Sequence, residues 1–372
     1  MRVRLIDTKC TADAVRFARF PSDLYRRCPQ WCPRWEPSVR RSLDRQCHPF
    51  YEHSAADFFV AEEAGRVVGR IAALHNRHYN EFRRKQTGFF HYFDVVDDFA
   101  VAEALFSALR GWMRDRGLNE VLGPYGLLKL DGGGVLVEGF VESAAMGIAY
   151  NFPYYDEFLR RAGFVKRADF LSGRLDRGHH VPRRVMDIGE KARTRYGFAI
   201  KTFASKSELS EWVPRIADVY ERSFVEHIDY YPRTPAERTW IGGEMLQVSE
   251  PRLVKLVMRG NEVAGFLLAF PDWREGLRRS QGRLWPLGWY HLWRARRRPD
   301  WCQISQMGLL PEYRHRGANA LLYAELERTF YETDYRHAEV SLNEEDNRLS
   351  VADRDAVGVR WHKRHRVYCW AL

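Results

Sequence analysis

The sequence predicts a mixed α/β fold built as two similar units in tandem, and three observations point to two. At 372 residues the chain exceeds the span, roughly 250 to 300 residues, near which a single hydrophobic core stops growing. One order of elements, strand hairpin, strand, helix, strand, helix, strand, can be written along it twice. Between the two copies runs a charged segment, RLDRGHHVPRRVMDIGEKARTR, that reads as a connector. The expected division is residues 1–175, a connector at 176–195, and residues 196–372 with an insertion at 273–300.

In the first copy, DFFVAEE and VVGRIAAL flank a short turn at Ala64 to Arg66, the pattern of a hairpin. The apolar run GFFHYFDVV follows as a strand, then AVAEALFSALRGWMRDRG with helical spacing, the strand NEVLGPY, the helix YYDEFLRRAGF, and a closing strand near VKRADFLSGRL. In the second, RLVKLVMR and EVAGFLLAF meet at Gly260-Asn261, another hairpin. WCQISQMGL, a helix at 317–331, HAEVSLN, a helix near 347–357 and the C-terminal RWHKRHRVYCWAL complete it.

Composition narrows the function classes. Hydrophobic residues at 45% and twelve Trp suffice for large cores, which excludes a disordered chain. The net charge of +10 comes from arginine, because only nine of the 59 basic residues are Lys. Arginine makes planar two-point contacts to phosphate and carboxylate, so an anionic partner is expected. The N-terminal MRVRLIDTKC is broken by charge where a signal peptide needs an apolar run, and VAGFLLAF is far shorter than the ~20 residues of a membrane span. The expectation is a cytoplasmic protein with reduced cysteines. Cys28, Cys32, Cys47 and His48 stand at a spacing that matches no common zinc site, so no metal is expected.

The segment MGLLPEYRHRGANALLYAEL carries the sharpest signal: a strand, a basic turn, one glycine, then a helix. A helix start leaves backbone N–H groups unpaired and carries the positive end of the dipole, so it holds phosphate. This segment resembles motif A of the GNAT superfamily of acyl-CoA-dependent N-acyltransferases, whose Arg/Gln-x-x-Gly-x-Gly/Ala turn binds the diphosphate of coenzyme A. Arg314 and Gly317 match; Asn319 stands where Gly or Ala is usual. The resemblance implies mostly antiparallel sheets flanked by helices and a cofactor site at Met307, Leu309, Leu310, Arg314, His315, Arg316, Gly317, Ala318, Asn319 and Ala320. It adds Asn347, eleven residues ahead of Gly358. The tyrosine that often follows that Asn by seven residues is Arg354 here, a cation able to stabilise a thiolate but not to act as the usual acid. The first copy lacks the Arg-x-x-Gly turn and offers Asp94, Asp97 and Asp98 instead, so it reads as a degenerate copy without CoA.

Amine acylation needs positioning, a donor for the thioester oxygen and a base for the ammonium proton. The segment SFVEHIDYYPRT supplies His227 as first candidate base, Glu226 as second, and Tyr230. The insertion combines Trp285, Trp289 and Trp293 with eight Arg between 274 and 298, Arg294 among them. From Pro286 it reads as a helix with the tryptophans on one face, an interfacial pattern for anionic lipid; packing on the first domain is the alternative. No RNA-binding signature accompanies these residues, so nucleic acid is not the expected partner. Tandem architecture, variant turn and Trp/Arg segment together resemble the bacterial ceramide synthases. That resemblance implies transfer of a long-chain acyl group from acyl-CoA to the amine of a sphingoid base, 3-oxosphinganine or sphinganine, by an enzyme peripheral to the inner membrane. Acetylation of a small soluble amine and a non-catalytic acyl-CoA sensor remain the alternatives.

Overall fold

The computed structural model describes residues 1–128, 131–176, 178 and 180–372. They form two compact units. One comprises Met1–Phe170 with Arg274–Arg294 and Lys363–Leu372; the other comprises Leu171–Trp273 with Ala295–His362. The segment expected as a connector therefore lies in the second unit, apart from Arg177 and His179, which are outside the described residues. The insertion through Arg294 and the last ten residues of the chain cluster with the first unit.

The first unit's sheet begins with β1 (Arg2–Leu5), β2 (Ala55–Glu63), β3 (Arg66–His75), β4 (Thr87–Val95) and β5 (Glu120–Gly123), adjacent in that order. Ala64 and Gly65, both at positive φ, make the tight turn of the β2–β3 hairpin. The helices before it are α1 (Thr11–Leu24) and α2 (Glu36–Leu43), and α3 (Arg77–Arg83) precedes β4. After β4 comes α4 (Phe99–Arg114), which buries Val101, Ala102, Leu105, Phe106, Leu109, Trp112 and Met113, a stripe at helical spacing. Burying each large member of that stripe contributes about 2 kcal/mol relative to exposure. A short β6 (Val135–Glu138), α5 (Tyr154–Arg161) and β7 (Val165–Asp176) follow. The chain's last strand returns here: Tyr368 to Ala371 pair antiparallel with β5, and Arg364 to Arg366 with β6.

The second unit opens on α6 (Arg183–Tyr196), closed by Gly197 in the left-handed region, then β8 (Phe198–Lys201) and α7 (Lys206–Ser223), capped by Ser205. α8 (Pro235–Val248) starts with Pro235 and a reciprocal capping pair, Thr234 and Glu237. Strands β9 (Val254–Arg259) and β10 (Glu262–Asp272) form the hairpin read at Gly260. After α9 (Arg274–Ser280) and α10 (Gly288–Arg297) come β11 (Trp301–Leu309), α11 (Ala318–Tyr331), β12 (His337–Glu344), α12 (Arg348–Ala356) and β13 (Arg360–Ala371). Within the unit, β8, β9, β10, β11 and β12 are neighbours in that order. Apolar residues of β9, β10 and α11, Leu256, Phe266 and Leu322 among them, form its core. The insertion's helix begins at Gly288 instead of Pro286, so Trp285 precedes it.

Candidate functional site

The site of the second unit is a gap between two strands. β11 pairs in parallel with β12 from Trp301↔His337 to Ile304↔Val340 and no further among the described residues. Against β10 its register slips: Leu268 faces Gln306 while Ala269 faces Ile304, which leaves Ser305 as the extra residue of a bulge. Beyond it, Gln306 to Leu309 pair with β10 alone. On the other side Leu342 takes φ of 50°, and its amide turns to the Ser172 hydroxyl at 3.2 Å. Backbone polar groups of β11 thus face a cleft into which an extended ligand can pair, as an added strand would. Met307 and Leu309 lie on this open stretch, whereas the amide of Leu310 is already donated to the Ala264 carbonyl at 2.9 Å.

At the cleft's end the chain turns through Pro311–Tyr313 and enters α11. Gly317 is the N-cap residue at φ of 77°, and no side chain caps the helix. The amides of Ala318 and Asn319 are thereby left to a ligand or solvent, while that of Ala320 donates to the Gly317 carbonyl at 3.1 Å. In the first unit the equivalent place is closed: Asp98 caps α4 and accepts from the Ala100 amide at 2.8 Å. Gly317 has a second reason to be glycine, since a Cβ there would lie 2.7 Å from Ile188 Cγ2 of α6.

Arg314 is committed to the protein. It donates to Glu226 at 2.7 Å, to the Ser223 carbonyl at 3.0 Å and to the Leu309 carbonyl at 3.3 Å, tying the end of α7 to the end of β11. The cation nearer the turn is Arg316, over the rings of Tyr196 and Tyr313. His315 is exposed at φ of 60°. The Asn319 side chain hydrogen-bonds Asp353, whose carboxyl burial pushes above the usual carboxylate range. A carboxyl shifted towards its neutral form opposes an incoming phosphate less than an ionised one. Asn347 caps α12, accepting from the Ser350 amide at 3.1 Å.

Of the candidate bases, His227 stands at the cleft. Its Nδ1 lies 3.7 Å from Glu344 at the end of β12, and its ring meets Phe224 edge-on at 4.4 Å. Glu344 is a site residue that the sequence reading missed; it ends a strand over a hundred residues from His227, and no local pattern marks it. Glu226 is exposed, and its hydrogen bond from Arg314 holds it below the ordinary glutamate range, so it is a carboxylate with little affinity for a proton at neutral pH. Tyr230 is buried and donates to Glu221 at 2.9 Å; burial first, then that carboxylate, pushes its phenol up. Arg354 is buried beside β11, donating to the Tyr323 hydroxyl and approaching Met307 Sδ at 3.7 Å. Among the described residues, no group of three or more His, Cys, Asp or Glu could hold a metal ion, and no helix is long and apolar enough to cross a membrane.

In the insertion, Leu277 of α9 packs with Cys32 and Ala144 of the first unit. Arg278 donates to the carbonyls of Gln30 and Trp31, and the Gly282 carbonyl accepts from the Glu36 amide at 3.1 Å. With α9 anchored in this way, Trp285 is 79% exposed, and Leu287, Trp289, Tyr290 and Trp293 are exposed as well. Arg294, Arg296 and Arg297 follow on the surface.

Two copies of a hairpin, a strand, a helix and a splayed fifth strand define a tandem GNAT fold, with the open helix turn in the second copy. Comparison with known proteins agrees: residues 213–352 match the acetyltransferase (GNAT) family. Over 378 residues, 99% of this chain and 97% of the relative, the sequence is 25% identical to the bacterial ceramide synthase of Caulobacter vibrioides (strain NA1000 / CB15N). It is equally 25% identical, over 96% of this chain and 92% of the relative, to Protein YghO of Escherichia coli (strain K12). Among solved structures, a tandem GNAT protein from the clavulanic acid biosynthesis pathway superposes with a TM-score of 0.59 at 14% identity, covering 100% of this chain and 98% of that one. A GCN5-related N-acetyltransferase from Sphaerobacter thermophilus gives 0.54 at 15% identity, covering 100% and 95%. These structural likenesses bear on the fold alone.

Proposed function

We propose that this chain is an N-acyltransferase that moves a long-chain acyl group from acyl-CoA to the amine of a sphingoid base. The observation that carries the proposal is the cleft beyond Ser305, which has the uncapped start of α11 at one end and the His227–Glu344 pair beside it. The pantetheine arm would pair with Gln306 to Leu309 while the first-turn amides and Arg316 hold the diphosphate. His227 would take the proton of the ammonium, with Glu344 stabilising the imidazolium so formed. The free amine attacks the thioester carbonyl, a β11 amide donates to the resulting oxyanion, and collapse expels the CoA thiolate, which takes up the proton that the attacking nitrogen must lose. Arg354, buried next to Met307, is placed to stabilise that thiolate electrostatically.

The full-length likeness to a bacterial ceramide synthase supports a lipid amine as acceptor. The exposed Trp285, Leu287, Trp289 and Trp293, followed by arginines, support collection of both substrates at an anionic membrane surface. Incubation of the full chain with palmitoyl-CoA and either 3-oxosphinganine or sphinganine, read as thiol release and as the N-acyl product by mass spectrometry, tests the proposal. Turnover is expected. Turnover only with acetyl-CoA and small soluble amines would replace the lipid acceptor, and CoA binding without any turnover would replace the enzyme by a sensor.

A further inference from the structure

The first unit repeats the strand gap with a different lining. β4 pairs in parallel with β5 only over Thr87↔Glu120 to Phe89↔Leu122, and its register against β3 slips at Tyr92, whose φ is 50°. The residues past the slip line a narrow cavity of about 90 Å³, walled by His91, Asp94, Arg70, Arg34, Trp31 and Tyr150. A water needs about 10 to 15 Å³ on this measure, so the space suits a group of a few heavy atoms and excludes a nucleotide.

His91 is 4% exposed, and neither of its ring nitrogens has a hydrogen-bond partner among the described residues. The Tyr92 ring lies 4.3 Å from its own, and the Tyr92 hydroxyl is engaged with Ser42 at 2.8 Å. Buried polar groups without partners are rare in folded proteins, because each costs roughly 1–3 kcal/mol, so they mark sites that expect one. The charges around it set the sign of that partner. Asp94 is neutralised by Arg70 at 2.7 Å and also accepts from Tyr25, while Arg70 donates to the Phe17 carbonyl. Arg34 lies over the Tyr92 ring and gives Nη1 to the Asp131 carbonyl, a neutral acceptor, at 2.8 Å. Burial first, and then the fields of Arg34 and Arg70, hold the imidazole well below its ordinary pKa, and the same positive field disfavours an ammonium.

We propose that the first unit binds a small oxyanion, a carboxylate or a phosphate, in the gap between β4 and β5, held by the Arg34 guanidinium and the His91 ring. The copy without the CoA turn would then be a binding unit in its own right. This inference does not depend on the acyl transfer proposed for the second unit.

Calorimetric titration of the full chain with sodium acetate, inorganic phosphate and, as a cationic comparator, ethanolamine tests it, with His91→Phe and Arg34→Gln as variants. Acetate or phosphate is expected to bind at one site per chain that responds to both substitutions, apart from any phosphate held at the start of α11, and the tighter of the two at that responsive site names the source of the oxyanion. Each variant should weaken that binding at least tenfold while far-UV circular dichroism stays unchanged. A variant that loses its fold is replaced by His91→Gln or Arg34→Lys, for which partial retention is expected. Absence of binding by both anions, binding indifferent to both residues, or preference for ethanolamine would each overturn the proposal.

Discussion

At the residue scale, side chains that are close in sequence have separate duties. His227 is the proposed base, Glu226 is the counter-ion that fixes Arg314, and Tyr230 belongs to the buried Glu221–Arg233 network. His227→Ala is expected to lower kcat by about 100-fold or more, the usual contribution of general-base catalysis, with the circular dichroism spectrum unchanged. Glu344→Gln should lower kcat less and move the acidic limb of the pH profile, because it alters the imidazolium's environment and leaves the ring in place. Equal turnover in wild type and His227→Ala would remove the assigned base. Gly317→Ala combines a positive φ with a Cβ placed 2.7 Å from Ile188. It should cost about 1–3 kcal/mol of stability, measured by denaturant unfolding, and weaken CoA binding as well.

At the scale of elements, much was legible and the decisive part was not. Both hairpins showed in the sequence because turn residues separate alternating strands, and α11 showed because its glycine follows a strand that stops at a proline. The bulges at Ser305 and Tyr92 did not show. A bulge puts the alternation one residue out of phase, and inside apolar runs such as GFFHYFDVV a phase shift leaves no mark. His91 was visible in that run together with Asp94, yet a histidine satisfied in the core would look the same. Glu344 belongs to the site through tertiary placement alone. The Trp/Arg segment was legible in composition but ambiguous in role; its anchoring through Leu277 and Arg278 leaves the tryptophans outward. Replacing Trp285 and Trp289 together by Ser is expected to reduce sedimentation with anionic vesicles at least tenfold and to leave turnover of a short-chain soluble amine intact. Unchanged vesicle binding would assign that face to something other than lipid.

At the scale of the whole molecule, one fold was used twice with opposite treatment of the same two places. The helix start after the fourth strand of each unit's sheet is open in the second unit and capped by Asp98 in the first. The gap between strands is bordered by His227 and Glu344 in one and by His91 in the other. His91 also sets an acid response. Its folded-state pKa is depressed by burial, then by Arg34 and Arg70, with the Arg70–Asp94 pair beside it, while in the unfolded chain it titrates near 6.5. Below about that pH the unfolded state binds the extra proton, so stability falls as pH drops, by at most about 1.4 kcal/mol per pH unit for this one group. Denaturant melts from pH 7 to pH 5 should show that slope reduced in His91→Phe. The central claim, that the second unit grips an acyl carrier at the start of α11, is tested most directly by the stoichiometry of coenzyme A binding to the full chain. Calorimetry is expected to give one site, weakened by substitution of Arg316 and insensitive to Asp98→Gly. No binding, or two equivalent sites, would contradict it.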